Sequence, residues 1–333
     1  MIRLLKSSSP IVYVLLFIIA FITRLPILIF SRSSLTYSHE KIILSLPTVR
    51  EISGFLNNHV LLYLFSSISI VIIGIGVQYF LNQHKVIEKS GNLFAWFIIV
   101  VSSVHFDLMI PSPPFIAFTL LTICICLLYQ TYFELKNLSR IFNIGIVVAI
   151  ASIFYFPFLL FIVTLFIGLF LIKPFKLNEL IIYWVGILIP LYLLFTFLLV
   201  TNTLIPWLEI NQFGLLGYKS WDIPALQRLS INHFGIFIAF IIMLYGFLIV
   251  QNISFKSLVH FRKFHALCIV ILVSGILSLL LTDRMEVSHF SLMIIPAAFY
   301  IMFACKESKN MWFAESIHLV LLIAILISNI FLI

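Results

Sequence analysis

Charge is scarce in this chain: Asp, Glu, Lys and Arg make up 10% of its 333 residues, against 63% hydrophobic. A water-soluble domain of this size needs charges over most of its surface, so a soluble globular protein is excluded. Cysteine is scarce as well. Cys124, Cys126, Cys268 and Cys305 lie in or beside apolar runs, and the first two are spaced so that they do not face each other on a helix. Neither a disulfide framework nor a cysteine-ligated metal is implied. Phosphate-binding glycine loops, dinucleotide fingerprints, zinc-ligand spacings and nucleophile motifs are lacking. No segment repeats at a fixed period.

What the chain has in quantity is long apolar runs. Those near 10–30, 59–81, 180–202 and 312–333 each approach or exceed the ~20 residues needed to cross a bilayer. The pattern predicts an all-α, polytopic membrane protein over 1–333, a single membrane domain without a soluble one. Eleven spans are expected: 10–30, 59–81, 93–109, 113–132, 141–155, 156–172, 180–202, 233–251, 266–282, 288–304 and 312–333. The first is an uncleaved anchor, because Arg24-Leu25-Pro26 follows it instead of a small-residue cleavage site.

With the N-terminus inside and the C-terminus outside, thirteen of the twenty basic residues fall inside, as the positive-inside rule requires. The stretch 141–172 decides this count. As one helix it would be ~48 Å long, beyond the hydrocarbon core, and everything after it would change sides. A turn is therefore expected near Phe154–Phe158, where Pro157 breaks the helix. The net charge of +8 then resides on the inner face, against anionic lipid. A basic soluble surface for nucleic acid is not available.

Two outer segments, 31–58 and 203–232, are long enough to hold structure, and Trp207 and Trp221 suit a short helix lying in the headgroup zone. Scarce polar residues collect on the same side. Arg24 interrupts an apolar run; it either snorkels to the headgroups or faces the bundle and holds a phosphate or carboxylate. Glu40, preceded by His39, is either a solvated loop acid, a general base or a divalent-cation ligand. Asp107 follows His105, and Arg284 and His289 lie between spans nine and ten. Five of the nine histidines map to this side, without metal-site spacing.

The layout resembles the GT-C superfamily of multipass glycosyltransferases. The resemblance is carried by Arg24-Leu25-Pro26 before an outer loop with an acid at Glu40, by the proline-started segment Pro111-Ser112-Pro113-Pro114, and by Arg284 followed by His289 through Ala298. The start Lys6-Ser7-Ser8-Ser9-Pro10 is similar to that of a family of bacterial inner-membrane multipass proteins. The resemblance implies transfer of a sugar from a polyprenyl-phosphate donor on the outer face. In it Glu40 deprotonates the acceptor or positions a divalent cation, and Asp107 assists with metal or sugar. Arg24 or Arg284 neutralises the leaving phosphate, with His39, His105 and His289 as further substrate contacts. A single acid at Glu40, where the superfamily commonly has a pair, favours a non-catalytic scaffold or lipid-binding subunit instead. A transporter is the third alternative.

Overall fold

The computed structural model describes residues 2–5, 9–29, 58–87, 91–132, 138–173, 176–205, 233–281, 287–308 and 310–330. Among these there is no β-strand. Eleven helices of ten or more residues are found among the described residues: α1 (Pro10–Thr23), α2 (His59–Gln83), α3 (Leu93–Ser102), α4 (Pro113–Gln130), α5 (Leu138–Phe154), α6 (Leu160–Ile172), α7 (Leu177–Val200), α8 (Phe234–Ser254), α9 (Val259–Leu279), α10 (Ile294–Lys306) and α11 (Met311–Ile330). Short helical turns at Phe106–Met109, Phe156–Leu159 and Val287–Met293 join some of them. Eight helical stretches among the described residues are long and apolar enough to cross a membrane, and α3, α5 and the Phe156–Ile172 stretch are shorter.

The sequence explains where these helices begin and end. Asn58 caps α2, its side chain accepting from the Val60 and Leu61 amides. Proline at the first positions starts α1 and α4, where a missing N–H costs nothing. Pro26 has no N–H to offer the Ile22 carbonyl, and α1 accordingly ends at Arg24 before the chain resumes as helix.

The bundle is apolar both inside and outside. Helices α3 and α10 form its axis: every residue of α3 and eleven residues of α10 are buried, and Phe94 meets Phe299 edge-on at 6.5 Å. By contrast α7 exposes Ile181, Leu188, Tyr192, Leu193 and Val200, a surface that water would not tolerate and lipid would. This helix docks through backbone contact. Gly145 of α5 and Gly186 of α7 cross so closely that a Cβ on Gly145 would lie 2.5 Å from the Tyr183 carbonyl.

The stretch 141–172 is a hairpin. Tyr155 is extended and Pro157 lies in the 3-10 turn that follows. Tyr183 supplies the geometric proof, because its carbonyl touches Gly145 while its hydroxyl donates to the Ile162 carbonyl at 2.7 Å. Seventeen residues along one straight helix would separate those positions by ~25 Å, far beyond a tyrosine's reach. The chain must fold back.

Two other boundaries differ from the expected spans, each for a local reason. The span expected over 93–109 stops being helical at Ser102. The Ser102 and Ser103 hydroxyls bond back to the Ile99 carbonyl, and an extended His105 starts a separate turn. Helix α9 begins at Val259, earlier than the expected 266, because Lys263 reaches outward to the Ile172 carbonyl and the Tyr132 ring.

Contacts sort the helix ends into two opposite sides. On one, Lys85, Arg140, Lys173, Lys176, Lys256, Arg262, Lys263 and Lys306 cluster at helix ends with Glu179, Glu307 and Glu315. On the other, the described charged residues are Arg24 and Asp107.

Candidate functional site

The Arg24 side of the bundle holds a polar layer in an otherwise apolar protein. Arg24 does not snorkel. Its side chain is fully buried, and its guanidinium donates to three serine hydroxyls: Nε to Ser66 at 2.9 Å, Nη1 to Ser103 at 3.1 Å and Nη2 to Ser102 at 2.8 Å. These residues come from α2 and from the end of α3, so one side chain ties three helices together.

The hydroxyls are oriented for this task. Ser66 gives its own proton to the Met109 carbonyl at 2.5 Å, and Ser102 gives its proton to the Ile99 carbonyl at 2.9 Å. Ser103 donates to the Ile99 carbonyl at 2.8 Å or to Thr23 at 3.0 Å. Each therefore turns a lone pair toward Arg24. The guanidinium has five N–H groups, so Nη1 and Nη2 each keep one beyond these bonds. No carboxylate among the described residues pairs with Arg24; the ion pair found there joins Lys173 with Glu179.

The last turn of α11 buttresses the layer. Ser328 donates to the Val104 carbonyl at 2.7 Å, and the Asn329 amide donates to the Ser103 carbonyl at 3.2 Å. Immediately beyond, the His105 ring faces His233 at 5.3 Å. Its Nδ1 accepts the Asp107 amide proton at 3.2 Å. That nitrogen consequently carries no proton, and the 3.6 Å approach of the Asp107 carboxylate to it is not a charged pair in this state. The Asp107 side chain is 43% exposed.

The segment containing His289 packs on the Phe106–Met109 turn and on α4, which places it at the same end. His289 and Tyr155 are both buried, their rings stacked 5.6 Å apart with Tyr155 Oη 2.5 Å from His289 Nδ1. Ser67, Ser112 and Ser291 also have buried hydroxyls at this end without a hydrogen-bond partner among the described residues. Such groups are costly to bury dry.

Of the residues singled out in the sequence, Arg24, His105, Asp107 and His289 thus share one end of the bundle. Arg24 makes no hydrogen bond to the other three. His39, Glu40 and Arg284, and nearly all of the loops 31–58 and 203–232, lie outside the described residues. Among the described residues no three His, Cys, Asp or Glu side chains gather as a metal site. The sequence reading missed Ser66, Ser102, Ser103 and Tyr155. A signal existed in the serine doublets Ser66-Ser67 and Ser102-Ser103, each set in an apolar run. No family model, curated protein or solved structure matches the chain.

Proposed function

We propose that the chain is a multipass, GT-C-like protein of a bacterial inner membrane, with all eleven helices crossing and the N-terminus inside, whose Arg24 end handles the phosphate of a polyprenyl-linked sugar. The lysine-rich end suits the inner face under the positive-inside rule. The three shorter helices suit a membrane too: α3 is wrapped by neighbours and need not match the bilayer by itself.

One observation carries the functional reading: among the described residues, the buried Arg24 side chain meets neutral hydroxyls and no carboxylate. A cation taken from water without a counter-charge costs the fold on the order of several kcal/mol. The two remaining N–H groups form a planar donor pair suited to phosphate oxygens. In sugar transfer the leaving polyprenyl phosphate gains negative charge, which Arg24 would neutralise. Glu40 would take the acceptor proton, and Asp107 would hold sugar hydroxyls. Entry requires the ends of α1, α2 and α3 to part.

A scaffold reading is favoured by the same three serines, which make Arg24 a tie between helices. Replacing Arg24 with Met separates the two. If Arg24 serves a ligand, the variant keeps or gains thermal stability in detergent, because a dry charge is gone while each serine retains its own acceptor. It then loses polyprenyl phosphate as followed by native mass spectrometry. A large drop in stability with lipid retention unchanged would make the residue a structural tie.

A further inference from the structure

Along three helices the same order of side chains recurs at the Arg24 end. On α1 it is Ala20, then Thr23 and Arg24, then Ile27. On α2 it is Ile70, Ser66 and Leu62, and on α3 and the chain beyond it Val101, then Ser102 and Ser103, then Phe106. The first member of each set belongs to the main apolar core. The last belongs to a separate cluster of buried apolar side chains, Ile27, Leu62, Phe106, Met109 and Ile110. The layer of Arg24 and its serines therefore lies between two apolar bodies, the large bundle core on one side and a five-residue cluster on the other.

Three of those five residues come from one short piece of chain. The Phe106–Met109 turn has extended backbone on both sides, His105 at φ −140°, ψ 147° and Ile110 at φ −74°, ψ 135°. These two residues interrupt the helical geometry, so the turn is continuous with neither α3 nor α4. A helix of one turn has no stability of its own. This one is held by packing of Phe106, Met109 and Ile110 against Ile27 and Leu62 at the ends of α1 and α2, and by the Val287–Met293 segment. One hydrogen bond ties it to the polar layer: Ser66 Oγ accepts from Arg24 Nε and donates to the Met109 carbonyl. A small cluster joined to the fold in this way is the kind of unit that opens before the rest unfolds.

We infer that the Phe106–Met109 turn is a lid over the Arg24 layer, pivoting at His105 and Ile110 and latched through Ser66. Lifting it separates Phe106 and Met109 from Ile27 and Leu62 and parts the chain ends over Arg24, while the helices beyond the layer stay packed. Closing it returns apolar cover to the guanidinium and excludes water. As a gate for an anionic headgroup the lid rests on the reading of Arg24 given above; its opening does not.

The test places a cysteine in the full chain in detergent, either under the lid (Ile27→Cys) or in the main core (Ala20→Cys), both sites being buried in the closed state. A charged maleimide reads exposure, with the unmodified chain as background. Ile27→Cys should label at least about tenfold faster than Ala20→Cys. Adding Phe106→Ala should speed labelling at Ile27→Cys roughly a hundredfold, because the lost phenyl burial acts on the closed state alone, and should leave Ala20→Cys unchanged. Phe106→Leu keeps apolar contact and should stay within about tenfold of the unmodified lid. No acceleration by Phe106→Ala would overturn the lid. Equal acceleration at Ala20→Cys would overturn it too, since the whole bundle would then be opening. Polyprenyl phosphate added to the same samples separates the two claims. Slower labelling of Ile27→Cys supports lid and ligand together, whereas labelling that follows the Phe106 variants but ignores the lipid keeps the lid and refutes its use as a phosphate gate.

Discussion

The crossing of α5 and α7 at Gly145 and Gly186 allows a stability prediction with its own control. In Gly145→Ala the new Cβ would lie 2.5 Å from the Tyr183 carbonyl oxygen and 3.1 Å from two backbone atoms of Gly186. Ordinary contact begins at 3.4 Å, so the helices must separate by about 0.9 Å. The obstructing atoms are backbone and cannot rotate aside. A gap of that size forfeits roughly a quarter to a half of each dispersion contact it opens. It also stretches the bond from the buried Tyr183 hydroxyl to Ile162. Overpacking of this kind costs ~1–3 kcal/mol, and rigid obstacles place the cost near the top of that range. Alanine in place of glycine returns ~1 kcal/mol of helix propensity. The net expectation is a loss of about 2 kcal/mol.

Gly76, in α2, has nothing within 4 Å of a built Cβ. Gly76→Ala should therefore show only the propensity gain, up to ~1 kcal/mol. Unfolding midpoints in mixed micelles of a mild detergent with increasing dodecyl sulfate would measure both variants against the unmodified chain. The two should move in opposite directions and differ by ~3 kcal/mol. A Gly145→Ala protein as stable as Gly76→Ala would refute backbone-limited packing between α5 and α7.

Two further predictions concern charge and sidedness. Lys173 and Glu179 form a largely buried pair at 2.8 Å, and Lys173→Met alone should cost ~3–5 kcal/mol by stranding the carboxylate. Adding Glu179→Leu should recover most of it, and a double variant no better than the single would show that the pair does not couple. For topology, a cysteine introduced at Ser220 should react in intact cells with an impermeant thiol reagent, and one at Ser257 should not. The native Cys124, Cys268 and Cys305 are buried, which keeps the background low. The opposite labelling pattern would invert the orientation.

Much of the fold was legible in the residue order because a bilayer imposes a one-dimensional constraint. Apolar length translates directly into helices. Pro157 marked the reversal near Tyr155 for the same reason: a residue without an N–H inside an over-long apolar run has few other uses. Helix ends were less legible where side chains reach past the hydrocarbon edge. Lys263 let α9 start earlier than the apolar run, and the serines after Ile99 stopped α3 sooner.

Sequence alone determined that Arg24 is anomalous, since a charge within an apolar run must snorkel or find partners. Only the tertiary structure decided between those outcomes. The hydroxyls that receive its protons lie 42, 79 and 78 residues away, on helices whose rotation no local pattern specifies. In lipid, apolar residues face both outward and inward, so periodicity does not say which face of a helix meets its neighbour. The same ambiguity hid the contacts of the Tyr132 ring. Lys263 and His260 meet the Tyr132 ring because of which helices pack together, and packing of that kind is set by small residues and shape in three dimensions.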